Sequence, residues 1–146
     1  MNNRTKIAIL SAINNLIWFI LTFLWNRSRV ASLDGEALGK TWGIYFLVLV
    51  TGFLVLDVLS AILIMSREKR SGGQGFEEKT DERDRHIEGL AMKAFGAVSF
   101  LSFLVSAILL ALGLGLHTFF CALALMVLLS GLAIWIAYII GYERGL

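Results

Sequence analysis

Apolar residues gather in four long stretches, at residues 7–25, 42–65, 94–116 and 118–142, with polar residues crowded between them. A bilayer core takes about 20 apolar residues of helix, and each stretch meets that length. The last two run together. Residues 94–142 contain no Asp, Glu, Lys or Arg over 49 positions. As one helix they would reach about 74 Å, more than twice the hydrocarbon thickness. The segment must therefore fold back, and Gly113-Leu114-Gly115-Leu116-His117-Thr118 is the place where the backbone can reverse tightly. Helices pair all their backbone groups internally, which makes them the spanning form to expect. The pattern predicts one all-α transmembrane domain, a four-helix bundle in the membrane.

Within the apolar stretches the polar residues keep helical spacing. Ser11, Asn14, Asn15 and Thr22, with Trp18, fall on one narrow face of the first span. Ser99, Ser102 and Ser106 share a face of the third span, continued by Gly113. Ala122, Ser130, Ala133, Ala137 and Gly141 do the same in the fourth. Small and polar stripes let helices approach closely and hydrogen-bond across the contact, so they predict helix packing.

Asp57 breaks the pattern, because it is an acid in the middle of the second span. A carboxylate costs about 2.5–3.5 kcal/mol or more at a helix centre, and such residues mark ion or proton pathways. It lies about 12 Å from the end of its span at Met65. Asn14 and Asn15 stand at a similar depth from Ile7, and Ser102 from Ala94. The four are expected to form one intramembrane polar layer. Two readings follow for Asp57: a proton- or cation-binding carboxylate, or a well-paired acid that fixes helix register. No span holds a Pro, so the broken helices of many transporter sites are not signalled.

Composition agrees with a membrane protein. Of 146 residues 58% are hydrophobic and 16% charged, and the mean hydropathy is +0.77. The net charge of +2 gives no reason to expect direct nucleic-acid binding. The single Cys121 allows no internal disulfide. The first apolar stretch is longer than a signal-peptide core and precedes a charged segment, which predicts a retained span. Lys and Arg set the orientation. With the N-terminus inside, ten basic residues face the cytoplasm and three face out, so both termini are expected inside the cell's inner membrane. Trp25, Trp42 and Tyr45 would then mark the outer interface, and Tyr138 and Tyr142 the inner one.

Residues 66–93 form a charged cytoplasmic insert. Its basic start suits anionic headgroups, and the glycines of residues 71–75 suggest a hinge. From Thr80 or Asp81, either of which can cap a helix, the pattern turns helical. Asp81 with Arg85, and Arg85 with Glu88, have ion-pair spacing. Ile87, Leu90, Ala91 and Ala94 form the apolar face of an amphipathic extension of the third span. The interleaved bases and the missing loop spacing argue against a metal site around Glu82 and His86. Asp81, Glu82, Arg83, Asp84, Ile87 and Glu88 are the candidate partner-binding surface. No catalytic set or phosphate loop stands out, so neither an enzyme nor a cofactor is expected. His86 and His117 lie on opposite membrane faces in this topology.

Asp81-Glu82-Arg83-Asp84, followed by Ile87 and Ala91, resembles a D-E-R-D-x-x-I-x-x-x-A stretch in small, uncharacterised prokaryotic membrane proteins. Those proteins belong to families of unknown function, and four spans are typically predicted for them. The resemblance covers about eleven residues and implies no activity. Some proteins of this kind are paired with small helix-turn-helix regulators, which implies a membrane anchor or inhibitor of a transcription factor. In size the chain is also similar to the small multidrug resistance transporters. Those carry an essential acid in the first span, where this chain has Asn14 and Asn15. The leading expectation is a non-enzymatic regulatory membrane protein acting through its insert on a cytoplasmic regulator. The alternative is a small proton- or cation-coupled transporter using Asp57. A homodimer through the Ala133, Ala137 and Gly141 face is a further expectation.

Overall fold

The described residues form four helices: α1 (Asn3–Val30), α2 (Gly35–Arg70), α3 (Glu82–Ala111) and α4 (Gly115–Arg144). The structure is a computed structural model and describes residues 3–70 and 82–144. The expected hinge at residues 71–75 and the expected cap at Thr80 or Asp81 lie outside the described residues. All four helices are long and apolar enough to cross a membrane. This is an all-α four-helix arrangement, and the chain is a multi-pass membrane protein.

Each helix is longer than the apolar stretch that predicts it, and α1, α2 and α4 run past it at both ends. Backbone hydrogen bonds continue along the chain past the hydrocarbon boundary, whereas hydropathy reports only the lipid-facing part. Residues 26–30, expected as loop, complete the last turn of α1 and shrink the first connection to residues 31–34. Asp34, a favoured capping residue, stands at the N-cap of α2, and its carbonyl accepts the Leu38 amide at 3.5 Å. The second connection is a glycine-ended helix terminus. Gly113 has φ +76°, its amide reaches the Leu110 carbonyl at 3.0 Å, and the Leu114 amide reaches Leu109 at 3.3 Å. That pairing closes the free carbonyls of α3 and turns the chain within three residues. The third helix therefore ends at Ala111, five residues earlier than the apolar run suggests. The amphipathic extension of α3 is present from Glu82 onward.

Packing follows the small and polar stripes. α1 packs on α2, α4 packs on α1, and α3 packs on α4 without approaching α1 or α2 along the bundle. Between α3 and α4 the stripes meet: Ser99 Oγ donates to Ser130 Oγ at 2.8 Å, and both Ser106 and Ser130 are buried. Gly141 lies under Ile87, and a Cβ added there would come within 2.8 Å of the Ile87 Cγ2. Of the expected dimer face Ala133, Ala137 and Gly141, Gly141 thus packs within the chain, while Ala133 and Ala137 are half-buried. Between α1 and α2 the fit is tighter. The Trp18 indole lies in the notch that Gly52 leaves, and a Cβ on Gly52 would clash with the indole Nε1 and Cε2. Lipid is as apolar as a leucine side chain, so close van der Waals fit and hydrogen bonds must hold the helices together. The outward faces are accordingly apolar, with Leu47, Phe100 and Leu112 each 70% exposed.

Candidate functional site

Ser11, Asn14, Asn15 and Trp18 all face α2, as their spacing predicts, and they meet Gly52, Asp57 and Ser60 there. Asn15 Nδ2 donates to Asp57 Oδ1 at 3.2 Å, and Asn14 Nδ2 donates to Ser60 Oγ at 3.0 Å. Ser60 in turn donates to the Leu56 carbonyl at 2.7 Å, so it both gives and receives. The Ser11 hydroxyl adjoins the same carboxylate. Ser11 and Asn15 are buried, and of the two amide atoms of Asn15 only Oδ1 has no hydrogen-bond partner. No Lys, Arg or His occurs in either apolar stretch, 7–25 or 42–65, that builds this layer.

Ser102 does not join it. It stands on α3, behind α4, and its carbonyl accepts the Ser106 hydroxyl at 2.9 Å. Equal depth along a bundle does not make two residues lateral neighbours, and α3 has only α4 beside it.

The end of the bundle that carries both termini has a second polar cluster. Arg4 Nη1 lies 3.0 Å from Asp84 Oδ1 and donates to the Tyr142 hydroxyl at 2.8 Å. Tyr142 donates to Asp84 Oδ1 at 3.1 Å, and the Arg4 guanidinium sits 5.7 Å from the centre of the Tyr142 ring. Ile87 and Ala91 continue this contact, both fully buried. Asp84, Ile87 and Ala91 are spaced i, i+3 and i+7, so they share one face of α3, and that face is turned inward onto α4 and α1. Two members of the expected partner-binding surface, Asp84 and Ile87, are therefore internal docking residues. Glu82 and Glu88 remain exposed, as do Arg85 and His86. Asp81 and the side chain of Arg83 lie outside the described residues.

The opposite end is aromatic. Trp42 and Tyr45, expected at the lipid interface, are 1% and 0% exposed and form the centre of the packing between α1, α2 and α4. Trp42 stacks on Phe120 at 5.7 Å and meets Tyr45 edge-on at 5.3 Å. They face neighbouring helices because the α1–α2 connection is short and α4 closes over it. Trp25 is half exposed, with the Arg29 guanidinium 4.0 Å from its ring centre. Phe23, Arg27, Trp42, His117 and Cys121 line a cavity of about 220 Å³, with Cys121 Sγ 3.7 Å from His117 Nε2. Asn26, fully buried, has neither amide atom paired.

Comparison of the chain with family models, curated proteins and solved structures gives no match. The site must therefore be judged on its own geometry. The sequence offered Asn14 or Asn15, together with Ser102, as partners of Asp57, since all stand out in apolar spans, and Asn15 is the one that pairs with it. Sequence reading missed Arg4 and Tyr142 as partners of Asp84, since each had a sufficient explanation alone, one as a topology charge and one as an interfacial ring. Both lie at the same membrane end by span counting, and that was the available signal. Among the described residues, no cluster of three His, Cys, Asp or Glu could hold a metal ion.

Proposed function

We propose that this chain is a small non-enzymatic transport protein of the inner membrane, with both termini in the cytoplasm, that binds a proton or small cation at Asp57. The orientation rests on the ten-to-three division of Lys and Arg. The observation that carries the function is the Asp57 layer itself. An acid is held at the α1–α2 seam by Asn15, with the Ser11 hydroxyl and the unpaired Asn15 amide oxygen beside it and no base in either apolar stretch. A carboxylate, an amide oxygen and a hydroxyl are the ligands a hard cation takes, and a carboxylate alone takes a proton.

Proteoliposomes under an imposed potassium diffusion potential test this. Wild-type protein should pass protons, read with an enclosed pH dye, or sodium, read with a sodium-sensitive dye. Asp57→Asn keeps the side-chain shape, and should lower that flux at least tenfold while helix content is retained. Equal flux in the variant, or none in the wild type, would end the proposal.

A second reading has one observation in its favour. Glu82, Arg85, His86 and Glu88 stay exposed while the rest of the insert face turns inward, which leaves a charged surface for a cytoplasmic partner such as a transcription regulator. Capture by wild type of a partner that is lost on Arg85→Glu and kept by Asp57→Asn would support it. Capture unaffected by charge reversal at Arg85 would rule it out.

A further inference from the structure

Where the two termini meet, all four helices contribute a wall to a cavity of about 240 Å³. α4 supplies three rings at i, i+3 and i+7: Trp135, Tyr138 and Tyr142. Their centroids are 5.9 Å apart from Trp135 to Tyr138 and 6.2 Å from Tyr138 to Tyr142, so they form a continuous aromatic side. Met65 of α2 adds an apolar surface. Two lining residues carry charge, Arg4 and Glu88. Their situations differ. Arg4 is already matched by Asp84 at 3.0 Å and rests over the Tyr142 ring. Glu88 is exposed and forms no ion pair among the described residues. With Asp84 counted beside Arg4, the cavity holds one unmatched negative charge next to a row of aromatic faces.

We propose that this cavity binds an organic ammonium ion carried on an apolar body. Aromatic faces attract a weakly hydrated cation through the negative potential over each ring. Glu88 adds the counter-charge, and Met65 with Trp135 takes the apolar part. Arg4 over Tyr142 shows the same ring row already receiving one cation from within the chain. Two sources carry this chemistry: the ethanolamine or choline head of an inner-leaflet lipid, and a free amphiphilic ammonium. The proposal stands on the cavity alone and does not depend on the role of Asp57.

The test uses the full chain in dodecyl maltoside, an uncharged detergent, with benzyltrimethylammonium as probe in calorimetry. Saturable binding is expected, with benzenesulfonate not binding. Glu88→Gln should weaken binding at least tenfold, and Arg85→Gln should not change it. Tyr138→Leu should weaken it while Tyr138→Phe retains it, which separates the ring face from the hydroxyl. Native mass spectrometry distinguishes the sources. Retention of phosphatidylethanolamine over phosphatidylglycerol by wild type, lost in Glu88→Gln, assigns the lipid headgroup. Probe binding without that retention assigns the free ion. Undiminished binding by folded Glu88→Gln, comparable binding of benzenesulfonate, or binding of neither probe nor lipid would overturn the proposal.

Discussion

Two glycines carry more of this fold than their size suggests, and both do so by what they omit. Gly52 leaves room for the Trp18 indole, and Gly141 for Ile87. Other helical glycines, such as Gly43, have nothing within 4 Å of an added Cβ. The contrast gives a residue-scale prediction. Gly52→Val should destabilise the bundle by about 1–3 kcal/mol through forced repacking, and Gly43→Val should change it little. Reversible unfolding in mixed micelles of increasing SDS fraction would measure both, and equal effects would show that the Trp18 notch does not matter. Asp57 belongs to the same scale. Its position in the second span was visible at once, and so was its kinship in depth with Asn15. What the sequence could not reveal was which lateral neighbours it has, because depth is one coordinate of three.

At the scale of elements, α3 is the exposed member. It rests on α4 alone along its length, yet its first turn is tied to α1 and α4 by Arg4, Asp84 and Tyr142. The residues of the expected docking motif thus divide by face. Asp84, Ile87 and Ala91 hold the helix in place, whereas Glu82, Arg85, His86 and Glu88 meet the surroundings. A double-mutant cycle on Arg4→Ala and Asp84→Ala should give a coupling of about 1 kcal/mol, since both side chains are mostly but not fully withdrawn from solvent. Labelling of a cysteine placed at Phe95 should quicken in either single variant as α3 loosens. Additive effects would mean that the ion pair contributes nothing to docking.

For the whole molecule, the contacts order the helices as two antiparallel hairpins, α1–α2 and α3–α4, joined through α1 and α4. Arg4, Asp84 and Tyr142 meet directly, so the start of α1, the start of α3 and the end of α4 share one end of the bundle. Asp34→Cys and Glu88→Cys, each in a Cys121→Ala background, should therefore label from opposite sides of the membrane. A membrane-impermeant maleimide added outside intact cells should reach position 34 and not position 88. Labelling of both from one side would exclude the four-span arrangement, and the reverse pattern would invert its orientation.

Helix number and class were legible in the chain because the bilayer imposes them on any sequence. A span must be apolar, about 20 residues long and internally hydrogen-bonded, and these demands act on each segment separately. The turn glycines and the amphipathic lead-in to α3 were legible for the same local reason. Lateral order was not. Hydropathy is nearly uniform around α2 and α4, so hydropathy by itself does not say which neighbour each face meets. Shape settled that instead, through Trp18 in the Gly52 notch, Ile87 over Gly141, and serine against serine between α3 and α4. Only that tertiary choice drew Trp42 and Tyr45 into the interior, turned Asp84 inward, separated Ser102 from Asp57, and left Glu88 facing a row of rings. In lipid the helices gain no hydrophobic energy from meeting one another, so close fit and hydrogen bonds decide the partners, and those depend on side chains far apart in sequence.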